Sequence, residues 1–150
     1  MRVLGVWCKK EEIMLAVAED GEVVPHSREK MKGSGLLEAN DRLEAVRRDV
    51  VRVLEEVNPD EVRILMPEQR YEASYPQMAP RVALETVVRL ACSGAGISVE
   101  MLNRASARSR VGVSKTGRLE DHIREVVSEP VGKYWNAGRN LAAIAAVADP

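Results

Sequence analysis

The acidic residue best placed to do chemistry is Glu68, which follows Pro67 directly after the short apolar run 62–66. That run is typical of a β-strand, and functional groups of open α/β sheets collect where strands end. Glu85 and Glu100 could approach Glu68 if the helix that carries Glu85 packs beside the strand. A loop glutamate is more often a solvated surface charge, so a functional role and a surface role both stay open.

A second candidate is the stretch 104–118, which holds five basic side chains and no acidic one. Serine, threonine and glycine lie between the basic residues, and hydroxyls and backbone amides can share phosphate contacts with cations. The stretch therefore predicts contact with DNA or RNA. The alternative is a solvated loop that acidic helix residues such as Glu44 and Glu56 neutralise. The basic residues are Arg104, Arg108, Arg110, Lys115 and Arg118.

Aromatic residues are scarce, because the chain has two tryptophans, three tyrosines and no phenylalanine. Trp7 ends the first apolar run, where we expect a packed side chain whose indole N–H needs a partner. The alternative is a platform on which a base stacks. We expect the five aromatics to converge on one end of the sheet, where exposed ones would favour a homodimer interface. They are Trp7, Tyr71, Tyr75, Tyr134 and Trp135.

The cysteines and histidines predict neither a disulfide framework nor a metal site. Cys8 and Cys92 both have apolar neighbours, so we expect buried thiols in a reducing compartment. His122 lies on the apolar face of a predicted helix and is expected in the core, whereas His26 is near a strand edge. Neither histidine has a partner at the spacing of a metal site or a catalytic dyad.

Composition predicts one globular domain over residues 1–150, with 45% hydrophobic and 30% charged residues. The net charge of −1 excludes a strong overall field for nucleic acid or membrane, although a local one remains possible. The N-terminus does not resemble a signal peptide, and no apolar run approaches the roughly 18 residues of a membrane helix. We therefore expect a cytoplasmic protein without a membrane partner.

The first third of the chain predicts an antiparallel meander. Apolar runs at 2–7 and 13–18 are joined by four polar residues, and Asp20-Gly21 then leads into a third strand at 22–25 that could continue toward Met31. Links this short join antiparallel neighbours, because a parallel pair needs a longer crossover.

The rest of the chain alternates helices and strands. Apolar spacings of three and four predict a helix over 43–57 that starts near Asp41, and others ending near Gly94, over 119–127 and over 136–148. Short apolar runs predict strands at 62–66 and 97–102. Right-handed crossovers would make the later strands parallel to the first. The expected fold is α/β, a mixed five-stranded sheet with strand 1 central and helices on both faces.

This order of elements resembles the RNase H-like superfamily over nearly the whole chain. Three segments carry the resemblance. They are VLGVW (3–7) in the first predicted strand, VRILMPEQ (62–69) around the fourth predicted strand and NAGRNLAAIAAV (136–147) in the closing helix. The chain is most similar to RuvC-like Holliday-junction resolvases and their small bacterial relatives.

The resemblance implies a site in which carboxylates hold two divalent metal ions, normally Mg²⁺, at the bond being hydrolysed. Trp7 takes the place of the aspartate of the first strand. The glutamate of the fourth predicted strand, at 62–66, falls at Pro67 or Glu68, and Glu68 is the natural match if the strand shifts by one residue. Ala137 and Asn140 take the places of the two acids of the last helix. Hard cations need several oxygen ligands, preferably anionic, and Glu68 alone cannot supply them.

Three functions remain open from the sequence. The first is a non-catalytic RuvC-like protein, without cofactor, that associates with nucleic acid or acts in an assembly. The second is a Mg²⁺-dependent nuclease with a rearranged acidic site, in which Glu68 acts with Glu85 or Glu12. The third is a homo-oligomeric interaction module that uses Tyr71, Tyr75 and Trp135.

Overall fold

A computed structural model of the chain describes residues 1–32, 39–68 and 74–150. Its centre is a mixed sheet in the order β3-β2-β1-β5-β6, with β4 also paired to β2. β1 lies in the middle, antiparallel to β2 and parallel to β5, as predicted. The strands are β1 Arg2–Lys9, β2 Glu12–Glu19, β3 Glu22–Val24, β4 Lys30–Lys32, β5 Glu61–Leu65 and β6 Ser98–Leu102.

The described sheet has six strands rather than the predicted five, because the third strand does not continue to Met31. Pro25 directly follows β3 and has no N–H to donate to the ladder. The chain rejoins the same strand further along, so β3 pairs with residues 17–19 of β2 and β4 with residues 12–14. The turn between β2 and β3 places Asp20 and Gly21 at positive φ, as the Asp-Gly signal predicts.

The helices cover both faces of the sheet. They are α1 Ala39–Val57, α2 Tyr75–Gly94, α3 Arg104–Val111, α4 Ile123–Val126 and α5 Arg139–Val147. Single 3₁₀ turns span Leu119–His122 and Trp135–Ala137. The first helix begins at Ala39, so Asp41 lies inside its first turn and does not cap it.

α3 forms the first part of the basic stretch 104–118, for which a solvated loop was the alternative interpretation. Asn103 caps its N-terminus by accepting a hydrogen bond from the Ser106 N–H at 2.8 Å. Gly112, at φ 72°, ends it in the left-handed conformation. The helix therefore depends on its two caps, since its sequence has little apolar periodicity. The helix predicted over 119–127 is divided into a 3₁₀ turn and α4.

Side chains of β1 alternate between the two faces. Leu4, Val6 and Cys8 belong to the core under α1 and α2, and Trp7 belongs to the core under α5. Gly5 lets α5 approach the sheet closely, because a Cβ there would lie 1.9 Å from the Ala142 carbonyl oxygen. Among the described residues, no helix is long and apolar enough to cross a membrane.

Candidate functional site

The site is built around Trp7, near the carboxyl end of the central strand. Its side chain is 9% exposed and packs in the core beneath α5. Gly138, the N-cap of α5 at φ 116°, lies directly against the indole, and a Cβ there would lie 2.8 Å from Trp7 Cδ1. The ring therefore fills the space between the strand and the start of the last helix.

Two arginines lie against the Trp7 ring. The guanidinium carbon of Arg81, from α2, is 3.9 Å from the ring centroid, and that of Arg104, from the first turn of α3, is 4.7 Å away. Cation–π contacts contribute about 0.5 to 2 kcal/mol each, and more when water is excluded. Trp7 thus joins β1, α2 and α3 at one point.

Acidic residues hold both arginines in place. Arg81 Nε donates to Glu85 Oε1 at 3.3 Å, and Arg104 donates to the Met66 carbonyl at 2.9 Å and to Glu120 at 3.4 Å. Burial raises the pKa of the Glu85 carboxyl, although Arg81 opposes that shift. Burial lowers the pKa of Arg104, and the carboxylates of Glu120 and Glu68 oppose it. The carboxylates of this region therefore face guanidinium groups.

The last helix offers no anionic oxygen to this site. Ala137 lies in the 3₁₀ turn before α5, and its carbonyl accepts a hydrogen bond from Lys9 Nζ at 3.4 Å. Asn140 is buried, and its Oδ1 accepts from the Leu141 N–H at 2.8 Å. Between them, Arg139 is fully buried and donates from Nε to the Leu15 carbonyl.

A Mg²⁺ site does not fit these residues, because a divalent cation needs several oxygen ligands and avoids neighbouring positive charge. The position implied for the strand aspartate holds an indole, and two guanidinium groups lie against that ring. Within residues 1–32, 39–68 and 74–150, no cluster of three histidine, cysteine or acidic residues could hold a metal ion.

Three arginines of the basic stretch are engaged inside the protein. Arg108 is buried and donates to the carbonyls of Ser114, at 2.6 Å, and Gly117. Arg110 pairs with Glu100, with Nη1 2.8 Å from Oε2, and Arg104 has the contacts already described. The helix glutamates suggested by the sequence are not their partners, since Glu44 pairs with Arg47 and Glu56 with Arg28.

Two cations of the stretch stay at the surface after α3. Lys115 is exposed and has no acidic partner within 4 Å among the described residues. Arg118 is exposed and pairs with Asp121 at 3.3 Å. Of the five basic side chains, these two extend into solvent in the turn between α3 and the 3₁₀ turn that follows.

The four described aromatic residues differ in burial and lie on both faces of the sheet. Trp135 packs against the core that contains Trp7. The half-exposed Tyr134 ring lies under Lys30 Nζ at 4.4 Å from its centroid. Tyr75 begins α2, on the layer that covers the opposite face, and is 83% exposed. Tyr71 lies outside the described residues.

Of the two histidines, His122 differs from its prediction. His122 is only half-buried and is not a core side chain. Its Nδ1 lies 2.6 Å from a Glu125 carboxylate oxygen, and its Nε2 lies 2.7 Å from the Thr116 carbonyl oxygen. His26 Nδ1 accepts a hydrogen bond from the Arg28 N–H between β3 and β4.

A lysine-lined cleft was not foreseen from the sequence. Lys9 and Lys10, at the β1–β2 turn, and Lys32, on β4, line an open cleft of about 510 Å³ beside the first turn of α2. Glu11 and Glu12 also line it, but Glu11 pairs with Arg42 and Glu12 with Lys30. The adjacent lysines Lys9 and Lys10 are visible in the sequence as a possible cationic site. Only the folded sheet shows that Lys32 lies beside them. We call Lys9, Lys10 and Lys32 the lysine cleft.

Known proteins match this chain in structure but not in sequence. No protein-family model and no curated protein matches the sequence. Thermus thermophilus RuvC in complex with a Holliday junction substrate superposes with a TM-score of 0.75 at 18% identity, over 99% of this chain and 91% of that one. The fold is that of RuvC. The predicted RNase H-like fold is thereby confirmed.

Two further solved structures agree with this RuvC-like fold. Another structure of Thermus thermophilus RuvC gives a TM-score of 0.76 at 17% identity, over 99% of this chain and 92% of that one. The yeast mitochondrial Holliday junction resolvase gives 0.58 at 18% identity, over 97% and 75%. At such identities the likeness shows the fold alone, so activity must be argued from the residues of the site.

Proposed function

We propose that this protein is a non-catalytic RuvC-like domain that binds nucleic acid through its phosphates and needs no divalent metal. The observation that carries the proposal is the contact of Trp7 with Arg81 and Arg104 at the carboxyl end of the central strand. Where the resemblance implies a carboxylate and two metal ions, this chain has an indole and two guanidinium groups.

The lysine cleft supports the proposal that the protein binds the phosphates of nucleic acid. Its three ammonium groups have no acidic partner within 4 Å among the described residues, and the two glutamates beside them pair with other cations. Ammonium groups without an acidic partner bind phosphates and release counterions. Outside this cleft, Lys115 and Arg118 are also exposed cations, and Arg118 pairs with Asp121.

The solved relatives support nucleic acid as the partner. One Thermus thermophilus RuvC structure holds a Holliday junction substrate, and the yeast protein is a Holliday junction resolvase. We infer that this chain also binds nucleic acid. We do not infer the same reaction, because its site lacks the carboxylates that the resemblance implies.

The nuclease alternative is less favoured because each proposed acid is engaged by a cation. Glu85 pairs with Arg81, Glu12 pairs with Lys30, and the Glu68 charge acts on Arg104. A carboxylate held in this way must give up its partner before it can ligate a metal ion.

The test is binding of a fluorescent four-way DNA junction, followed by anisotropy in EDTA at several salt concentrations. We expect binding that weakens with salt, and a Lys9→Glu/Lys10→Glu/Lys32→Glu variant that loses affinity about tenfold or more, with a shallower salt slope. Arg124→Glu is the matched control, because Arg124 is exposed and does not line the cleft. No binding by the wild type, or equal losses in both variants, would overturn the proposal.

A further inference from the structure

An apolar pocket lies beside the lysine cleft, between the first halves of α1 and α2. Its volume is about 270 Å³, and six of its lining residues are apolar. Two of the six are buried, two are half-buried and two are exposed, so the pocket reaches from the surface into the core under the two helices. In that order they are Val46 and Leu84, Leu43 and Ala83, and Ala39 and Pro80. We call these six residues the α1–α2 pocket.

The size of the α1–α2 pocket limits what it can hold. Sites for drug-sized ligands usually measure roughly 300 to 1,000 Å³ and are mostly apolar, with a few polar groups. A pocket of about 270 Å³ is suited to one ring system rather than to a whole ligand of that kind. Ala39 and Ala83 make the space, because their short side chains leave the gap between the helices unfilled.

The α1–α2 pocket and the lysine cleft adjoin each other. Lys10, Glu11 and Pro80 line both, and the cleft adds a further volume of about 510 Å³. A ligand that occupies both must join a small apolar group to an anionic group, because one space is apolar and the other carries three ammonium groups. A base attached through its sugar to a phosphate has this chemistry.

We propose that the α1–α2 pocket takes one unpaired base of a bound nucleic-acid strand, while the lysine cleft holds the phosphates beside that base. The inference rests on the proposed function, because it assumes that the cleft binds phosphates. Unpaired bases can leave their neighbours and enter a protein pocket, and their faces pack well against apolar side chains.

The groups at the mouth of the pocket favour a base over an acyl chain. Glu11 Oε1 lies 3.1 Å from Arg42 Nη1, and both residues line the pocket. A carboxylate can accept from more than one donor, so Glu11 can also accept a hydrogen bond from a base N–H. An acyl chain has no such donor, and its single carboxylate would use only part of a cleft with three lysines. Successive phosphates of a strand match that cleft better.

The first test compares two single-stranded oligonucleotides by fluorescence anisotropy in EDTA. One carries ordinary bases, and the other has the same length and phosphates but an abasic site at every position. We expect the wild type to bind the base-bearing strand about tenfold more tightly. Ala83→Leu should remove most of this preference, because the larger side chain fills the pocket, and should bind the abasic strand as the wild type does. The matched control is Ala105→Leu, at an exposed position of α3 outside the pocket, which should keep the preference.

The outcomes separate this inference from the proposed function. Equal binding of the two strands by the wild type would leave phosphate binding in place and overturn the inference. Binding of neither strand would overturn the proposed function and the inference together. A preference that persists in Ala83→Leu would also overturn the inference, because the base would then bind elsewhere.

The second test uses methyl NMR of the unaltered protein and so does not depend on a variant. We expect the base-bearing strand to shift the methyl resonances of Leu43 and Leu84 through the ring current of the base, and the abasic strand to leave them nearly unchanged. Leu90, exposed on the far half of α2 and outside the pocket, is the control. Shifts of Leu43 and Leu84 with decanoate but not with the base-bearing strand would assign the pocket to an acyl chain. That result, or no shift with any of these ligands, would overturn the inference.

Discussion

The guanidinium of Arg81 lies 3.9 Å from the centroid of the Trp7 ring, at the point where the central strand meets the last helix. This contact connects a strand residue with a helix from the opposite layer of the fold. Arg104 adds a second cation to the same ring at 4.7 Å. Together they make Trp7 a structural centre of the carboxyl edge of the sheet.

Replacing Trp7 should therefore cost much of the stability of the fold. We expect Trp7→Ala to lower the free energy of unfolding by about 3 to 5 kcal/mol, the range for a buried aromatic residue. Urea denaturation followed by far-UV circular dichroism measures the loss. The matched control is Trp135→Ala, whose half-buried ring should contribute less. Equal losses in the two variants would contradict the central place of Trp7.

Gly5 should tolerate no side chain, because a Cβ would lie 1.9 Å from the Ala142 carbonyl oxygen of α5. Gly5→Ala must push the helix away from the sheet, and overpacking of this kind costs about 1 to 3 kcal/mol or more. The control is Gly94→Ala on α2, where a Cβ meets nothing within 4 Å. Thermal denaturation should show a clear loss for the first variant and none for the second. A neutral Gly5→Ala would mean that α5 does not approach β1 as described.

Arg108 should hold the turn that carries Lys115 and Arg118. Its buried guanidinium donates to the Ser114 and Gly117 carbonyls. Each carbonyl left unsatisfied costs about 1 to 3 kcal/mol if water cannot replace the donor. We expect Arg108→Ala to increase amide hydrogen exchange over residues 112–118. Arg118→Ala, which removes an exposed cation from the same turn, should leave exchange nearly unchanged. The same exchange rates in both variants would contradict this role.

His122 should make stability depend on pH. Its two ring nitrogens face the Thr116 carbonyl and the Glu125 carboxylate, both acceptors, so both contacts need the doubly protonated ring. The Thr116 carbonyl, followed by Glu125, raises the pKa of His122 above its ordinary value, whereas burial and nearby Arg108 oppose the shift. The His122 contribution is therefore fully present below the unfolded pKa and is lost as pH rises through the folded pKa.

We expect His122→Gln to destabilise the protein more at about pH 5.5 than at about pH 8.5, because the wild type holds the extra proton only at the lower pH. Urea denaturation at both pH values measures the difference. An NMR titration of the His122 ring provides an independent reading. A variant whose stability loss is the same at both pH values, or larger at the higher one, would contradict the assignment.

The sequence was sufficient for the framework of the fold. Short links at residues 9–12 and at Asp20-Gly21 require antiparallel hairpins, and the apolar spacing of α1 requires a helix. The central position of β1 follows from these links and from right-handed crossovers. The sequence could not show that Pro25 divides the third strand in two, because the chain returns to the same neighbour beyond it.

The candidate site was harder to predict from the sequence than the fold, because its residues come from distant parts of the chain. Burial of Trp7 could be predicted from its strand, but its arginine neighbours come from residues 81 and 104, which only the packed helices bring together. The sequence does not reveal that residues 104–111 form a helix, because a short helix held by two caps has few apolar residues at helical spacing. The lysine cleft joins Lys32 to the β1–β2 turn through the pairing of β4 with β2.

The protein has a RuvC-like fold, and we propose that it lacks metal-dependent chemistry. The most direct measurement incubates the protein with a labelled four-way DNA junction and Mn²⁺ or Mg²⁺, and follows bound complex and cleaved product on parallel native and denaturing gels. We expect a complex of equal strength with metal or with EDTA, and no cleaved product. Metal-dependent product that disappears in Glu68→Ala would contradict it.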